Sequence, residues 1–265
     1  MEDIRSIIWE ILESPSEDNK TTPPKMEMVE AFEDVEFEDI FTDLFISVKN
    51  VDDFYNSEVD SRATDLLESF LLESLVLLKQ NPEVTLVISS PDYVKATAYT
   101  PEGDSAAFML DDAVTINTML EIYNNALSEN DMPQIEAGIG IASYQTESED
   151  CHCHSGGCLC EHEESDDASC CGDECDCGDE CECEDECDCE NHDSEDLISN
   201  QDDTAERLSE IANSDDFDPI VMNEGFYGLI SDLESEKSFI DTNFQKVTLE
   251  IDEMVVFHGN IVLEE

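Results

Sequence analysis

An α+β sandwich built on a mixed sheet is the fold the sequence predicts, and three observations predict it. Runs rich in β-branched and aromatic residues alternate along the chain with stripes of helical periodicity. Two pairs of such runs follow one another directly, VTLVIS with VKATAY and KVTLEIDE with MVVFHGNIVLE, which breaks the rhythm of a doubly wound fold. Apolar residues make up 40% of the 265-residue chain, enough to bury a core in one large or two small domains.

The elements follow in order. Ile4, Ile7, Ile8, Ile11 and Leu12 form a helical stripe, so residues 1–13 read as an N-terminal helix, and the polar stretch beginning SPSEDNKTTPP reads as a linker over 14–39. DLFISV is a buried strand, and RATDLLESFLLESLVLLKQN an amphipathic helix that the Asn81-Pro82 step ends. VTLVIS and VKATAY, joined through Ser90, Pro91, Asp92 and Tyr93, read as adjacent strands. AAFMLDDAVTINTMLEIYNNALSEN is the next helix, and IEAGIGIASY a strand whose glycines allow another backbone to approach closely. DTAERLSEIAN reads as a helix, PIVMN as a short strand, EGFYGLIS as a turn or two of helix, and the last two runs as a closing pair of strands.

Charge narrows the function. Against 70 Asp and Glu stand 10 Lys and Arg, a formal net charge of −60. Such a surface repels phosphates, so nucleic acids and anionic membranes are excluded as partners, and a free nucleotide needs a divalent metal or high salt to approach. Of these acids, 20 lie between Asp150 and Asp196, and the rest are spread through periodic segments. A salt-adapted surface and a disordered acidic segment each account for part of the excess. No run is apolar enough to cross a bilayer, and the start MEDIRSIIWEILESPSED lacks the basic end and small-residue site of a signal peptide. The expected location is cytoplasmic, where thiols stay reduced and favour metal ligation over disulfides.

The order of elements and five short strings resemble the class III nucleotidyl cyclases, and among them the bacterial pyrimidine cyclases of the Pycsar antiphage system. The strings are FISVKN, SPDYVKATAYTPEGD, MPQIEAGIGIASY, AERLSEIAN and VVFHGN. The resemblance implies a ferredoxin-like sandwich of a mixed, mainly antiparallel sheet with helices, working as a homodimer or as a heterodimer with another cyclase-type chain. It also implies an NTP substrate and two aspartates that hold Mg²⁺ or Mn²⁺ at the triphosphate, neutralising charge for attack of the ribose 3′-hydroxyl. Ser47 stands where the family carries the first of these aspartates, and a neutral hydroxyl is a poor ligand for a hard cation. Asp92 matches the second, although the glycine before it is replaced by Pro91, and a turn residue at Ser-Pro-Asp explains Asp92 equally well.

By the same resemblance Asp203 stands in place of a ribose-binding Asn and Arg207 in place of a phosphate-binding Arg, both on a helix that faces the partner subunit. Lys49 replaces an Arg and could touch a phosphate. An acid at position 203 opposes developing negative charge. A lone Arg207 on an amphipathic helix also reads as a solvated or ion-paired side chain, and Lys49 as the end of a strand in water. The substitutions imply a cyclase fold with lost or altered catalysis, with an active cyclase, alone or beside a partner chain, as the alternative. His258, in VVFHGN, reads as a packed strand histidine.

All 12 cysteines lie in one tract that interrupts the resemblance. Cys151 and Cys153, Cys158 and Cys160, Cys175 and Cys177, Cys181 and Cys183, and Cys187 and Cys189 are C-x-C pairs, and Cys170 adjoins Cys171. His152, His154, His162 and His192 lie in or beside the tract. Thiolates two apart can share one soft cation, so Zn²⁺ or Cu⁺ are the expected ligands. The density of pairs resembles a metallothionein, whereas the paired C-x₂-C knuckles and apolar run of a zinc finger are absent. A soft-metal buffer is therefore a third functional reading. The expected organisation is a helix over 1–13, a linker over 14–39, a cyclase-like domain in two parts over 40–145 and 201–265, and an acidic Cys/His-rich insertion over 146–200, disordered without metal.

Overall fold

A computed structural model describes residues 2–14, 27–29, 40–56, 58–100, 103–145, 204–249 and 254–263. The cysteine tract lies outside the described residues. Apart from residues 147–202, the chain forms one compact unit.

Helix α1 (Glu2–Glu13) carries the N-terminal stripe, with Ile4 and Ile8 buried. Strand β1 (Glu27–Val29) lies inside the stretch read as a linker and pairs, at the edge of the sheet, with β3 (Val84–Ser89). Its three residues are too short a run for alternation to announce a strand. Strand β2 (Ile40–Val48) is central, and a single turn α2 (Val51–Phe54) buries Phe54. Helix α3 (Ser61–Gln80) begins at Asp60, whose side chain accepts a hydrogen bond from the Arg62 N–H, and ends at Asn81.

Strand β4 (Tyr93–Tyr99), helix α4 (Gly103–Glu129) and strand β5 (Ala137–Gln145) follow. Beyond the tract come α5 (Thr204–Ala212), β6 (Ile220–Asn223) and α6 (Glu224–Ser231), whose first turn Asn223 caps by accepting from the Phe226 N–H. Helix α7 (Glu234–Asn243) and strands β7 (Gln245–Thr248) and β8 (Val255–Gly259) complete the described chain. Helix α7 is not foreseen from sequence because it buries Ile240 but little else, leaving its apolar period too weak to read.

The strands form one sheet in the order β1-β3-β4-β2-β5-β6-β8-β7, with β5 and β6 parallel and every other pair antiparallel. This is the mixed, mainly antiparallel α+β sandwich that the sequence predicts. Successive strand residues point to opposite faces, and the two faces are covered differently. Leu44, Ile46, Val94, Ala96, Ile139 and Ile141 meet α3 and α4 in the main core. Phe45, Ala142 and Val221 meet Ala205, Leu208 and Ala212 of α5 on the other face. That second face also buries a charge: Asp43 pairs with Lys95 at 2.9 Å and accepts from Thr97 Oγ1 at 2.6 Å. Among the described residues no helix is long and apolar enough to cross a membrane.

Asp112, on α4, accepts from Asn81 Nδ2 at 2.6 Å where α3 ends. Burial pushes its carboxyl up to about 6, with Asn81 opposing that rise and Asp111 adding to it. A raised carboxyl favours the folded state fully below the ordinary value and loses that contribution as pH rises through about 6. Asp112→Asn, which keeps an acceptor for Asn81, should therefore stabilise the fold by about 2 kcal/mol at pH near 7 and leave it unchanged near pH 3.5. Urea unfolding at the two pH values checks this; equal effects at both would contradict it.

Candidate functional site

The site is built where α5 crosses the C-terminal end of β2. In the sheet, Ser47 is opposite Tyr93 of β4 on one side and Gly138 of β5 on the other. A Cβ at Gly138 would collide with the Ser209 carbonyl, and one at Gly140 with the Ala205 carbonyl. Glycine at these two positions lets α5 lie directly on the strand, and the small residues Ala205, Ser209 and Ala212 form the matching helix face. The helix thereby reaches past β5 to the next strand. Ser209 Oγ lies 2.9 Å from Ser47 Oγ, and Asn213 Nδ2 lies 2.8 Å from Ser47 Oγ and 3.1 Å from the Ser47 carbonyl.

Beside this junction opens a cavity of about 420 Å³ lined by Ser47, Lys49, Asp92, Tyr93, Glu206 and Asn213, among others. Phe45 and Tyr93 stack at 4.9 Å and 23° to make an aromatic wall. Tyr93 has its hydroxyl pushed up from the ordinary value by burial first, then by the charges of Asp92 and Glu206. Asp92 sits in the turn between β3 and β4, where its carboxylate accepts from Ser90 Oγ at 2.6 Å and its carbonyl accepts from the Val48 N–H at 2.7 Å. The turn role expected of Asp92 is thus real, and it places the carboxylate beside Ser47.

Of the residues singled out from sequence, Ser47, Asp92 and Lys49 share this cavity. Lys49 is exposed and lies 3.7 Å from Glu136 Oε2. Arg207 is half-buried on α5, next to Glu206, and is not part of the lining. Asp203 and all 12 cysteines lie outside the described residues. His258 is buried on β8, with its ring edge on to Phe217, and Nδ1 accepts from the Asp218 N–H at 3.2 Å.

Sequence reasoning missed Glu206, Glu210 and Asn213, which also line the cavity. Glu206, Glu210 and Asn213 fall at i, i+4 and i+7 of AERLSEIAN, the spacing of one helix face, so the signal was present. Two divalent cations held by a pair of aspartates do not fit this set of donors. Ser47 offers a neutral oxygen already engaged with α5, which leaves Asp92 alone of the pair. Among the described residues no group of three or more His, Cys, Asp or Glu is arranged to hold a metal ion.

Because the junction depends on an absent Cβ, Gly140→Ala should cost about 1–3 kcal/mol by forcing α5 away from the sheet. Gly228→Ala, on α6 with nothing within 4 Å of the added atom, should be neutral or stabilising by up to about 1 kcal/mol. Chemical denaturation of both variants compares them directly, and equal stability would remove the case for a close helix–strand contact.

No family model matches the chain. In sequence it is similar to a uridylate cyclase of Treponema porcinum, 27% identical over 104 residues that make up 39% of this chain. The chain spans 36% of that relative's length. Among solved structures it is similar to a bacterial light-regulated adenylyl cyclase, at 10% identity and TM-score 0.48, over 84% of this chain and 90% of that one. A second likeness is to the adenylyl cyclase CyaB of P. aeruginosa, at 11% identity and TM-score 0.47, over 91% of this chain and 97% of the other. The resemblance to class III nucleotidyl cyclases, and to pyrimidine cyclases among them, is thus joined by a direct sequence likeness to a uridylate cyclase.

Proposed function

We propose that the chain is a class III nucleotidyl cyclase-like protein whose own catalytic site is degenerate and whose role is regulatory, in cyclic-nucleotide signalling or antiphage defence. The observation that carries this reading is the state of Ser47. It stands where the family places a metal-binding aspartate, and its hydroxyl oxygen is engaged by Ser209 and Asn213. A triphosphate entering here would face Asp92, Glu206 and Glu210, with Lys49 the one basic residue in the lining. Without a cation to offset them, these charges oppose the ligand.

In this reading the cyclase-like domain comprises residues 40–145 and 201–265, and the acidic Cys/His-rich stretch 146–200 is an insertion. Asp92 is the remaining cation ligand, Lys49 the group nearest the phosphates, and Asp203 and Arg207 face the other subunit of a homodimer or heterodimer. The likeness to a uridylate cyclase supports an NTP as the ligand class. A heterodimer with a complete cyclase gives Asp92 and Arg207 a use that a homodimer, which repeats the defect, does not. The C-x-C pairs favour a second property, binding of Zn²⁺ or Cu⁺ by the insertion, which requires the reduced thiols of the cytoplasm.

The purified full chain, incubated with each of the four NTPs and Mn²⁺, should release no cyclic nucleotide; steady turnover by the chain alone would overturn the degenerate reading. Elemental analysis after growth in zinc should find several equivalents of metal per chain, and replacing the C-x-C cysteines by serine should remove them. Metal content unchanged by that replacement would refute ligation by the thiols.

A further inference from the structure

The hydrogen bonds at Ser47 can be assigned a direction by counting protons. Ser209 Oγ lies 2.6 Å from the Glu206 carbonyl and 2.9 Å from Ser47 Oγ. Ser209 is the donor in both contacts, so its single hydroxyl proton is shared between the Glu206 carbonyl and Ser47 Oγ. Ser47 Oγ is therefore an acceptor from the Ser209 hydroxyl. The Asn213 amide donates to Ser47 Oγ at 2.8 Å and is 3.1 Å from the Ser47 carbonyl. The result is a Ser47 side-chain oxygen that accepts from Ser209 on one side and from Asn213 on the other. Ser209 is fully buried, which shields these hydrogen bonds from competing water.

A divalent cation at residue 47 would draw on the lone pairs of its side-chain oxygen. Here those electrons are turned toward the Asn213 amide and the Ser209 hydroxyl. We propose that Asn213 is the positioning residue of this pocket: its amide takes up the Ser47 electron pairs that a metal would need, so the pocket floor is fixed by hydrogen bonding and is independent of divalent cations. The inference rests on the reading of the cavity as a cyclase-like cleft and adds the physical reason that a cation is refused there.

The test is nuclear magnetic resonance on the full-length, ¹⁵N-labelled protein, following the Asn213 side-chain amide and the Gly138 backbone amide during a Mg²⁺ titration. Mg²⁺ is the probe because it seeks hard carboxylate oxygen, and reading it at Asn213 and Gly138 separates the pocket from the acidic residues elsewhere in the chain. In the unmodified protein both signals should stay in place while signals of exposed acidic residues move. In Ser47→Asp the same titration should shift both signals saturably, with an affinity at least about tenfold above any residual binding in the parent. Saturable shifts in the unmodified protein, or none in Ser47→Asp, would each overturn the proposal.

Ser47→Ala is the variant least able to disturb folding, and it leaves Asn213 only the backbone carbonyl. Exchange of the Asn213 amide with water should then quicken about two- to tenfold, and an unchanged rate would also count against the assignment. The two proposals fail separately. Cyclic-nucleotide turnover with the Asn213 signal unmoved by Mg²⁺ sinks the degenerate reading alone, and a Mg²⁺ response at Asn213 without turnover sinks this one alone.

Discussion

The candidate site depends on how closely one helix can approach one strand. Gly138 and Gly140 remove the Cβ layer from β5 where α5 crosses it, and the helix answers with Ala205, Ser209 and Ala212. Had either glycine carried a side chain, the Ala205 and Ser209 carbonyls would be pushed away, and with them the side chains that reach Ser47. The same approach sets the aromatic wall, since Phe45 packs with Ala205 and Leu208 on one side and stacks on Tyr93 on the other. Backbone proximity comes first, and the polar chemistry of the cavity follows from it.

Electrostatics explains why a hydroxyl at position 47 is compatible with its surroundings. Three carboxylates, Asp92, Glu206 and Glu210, already line the cavity of a protein with net charge −60. A fourth would add repulsion, and Lys49, the basic residue among those lining the cavity, lies 3.7 Å from Glu136. The buried acid on the same sheet face shows the contrasting solution: Asp43 is nearly inaccessible and is paired with Lys95 and Thr97. Where this fold buries a carboxylate on that face it supplies a cation, and at position 47 it supplies hydroxyl and amide groups.

Much of the architecture was legible because burial imposes period on sequence. Helices α3 and α4 and strands β2, β3, β4 and β5 each bury a regular set of apolar side chains, and each was placed correctly from that set. Of the elements that escaped, α2 hides only Phe54, and β1 is three residues long and held by backbone pairing that leaves no mark on side-chain order. At the site, Ser47 and Asp92 were found because strand and turn motifs fix them locally. Glu206, Glu210 and Asn213 were missed because their importance comes from a helix seated across two strands, a relation of residues about 160 positions apart in which only the glycines hinted. Arg207, read as a phosphate ligand from its place in the resemblance, lies on the same helix but outside the cavity lining of its own chain.

The contact between Gly140 and Ala205 has a consequence for the part of the chain between them. The polypeptide leaves the sheet after Gln145 and returns at Thr204, so strand and helix meet at the foot of that excursion whatever its length. Closing a flexible loop costs free energy that grows only with the logarithm of its length, about 0.6 kcal/mol for each doubling. The sequence between these two points can therefore change in length over evolutionary time with little penalty to the strand and helix that flank it.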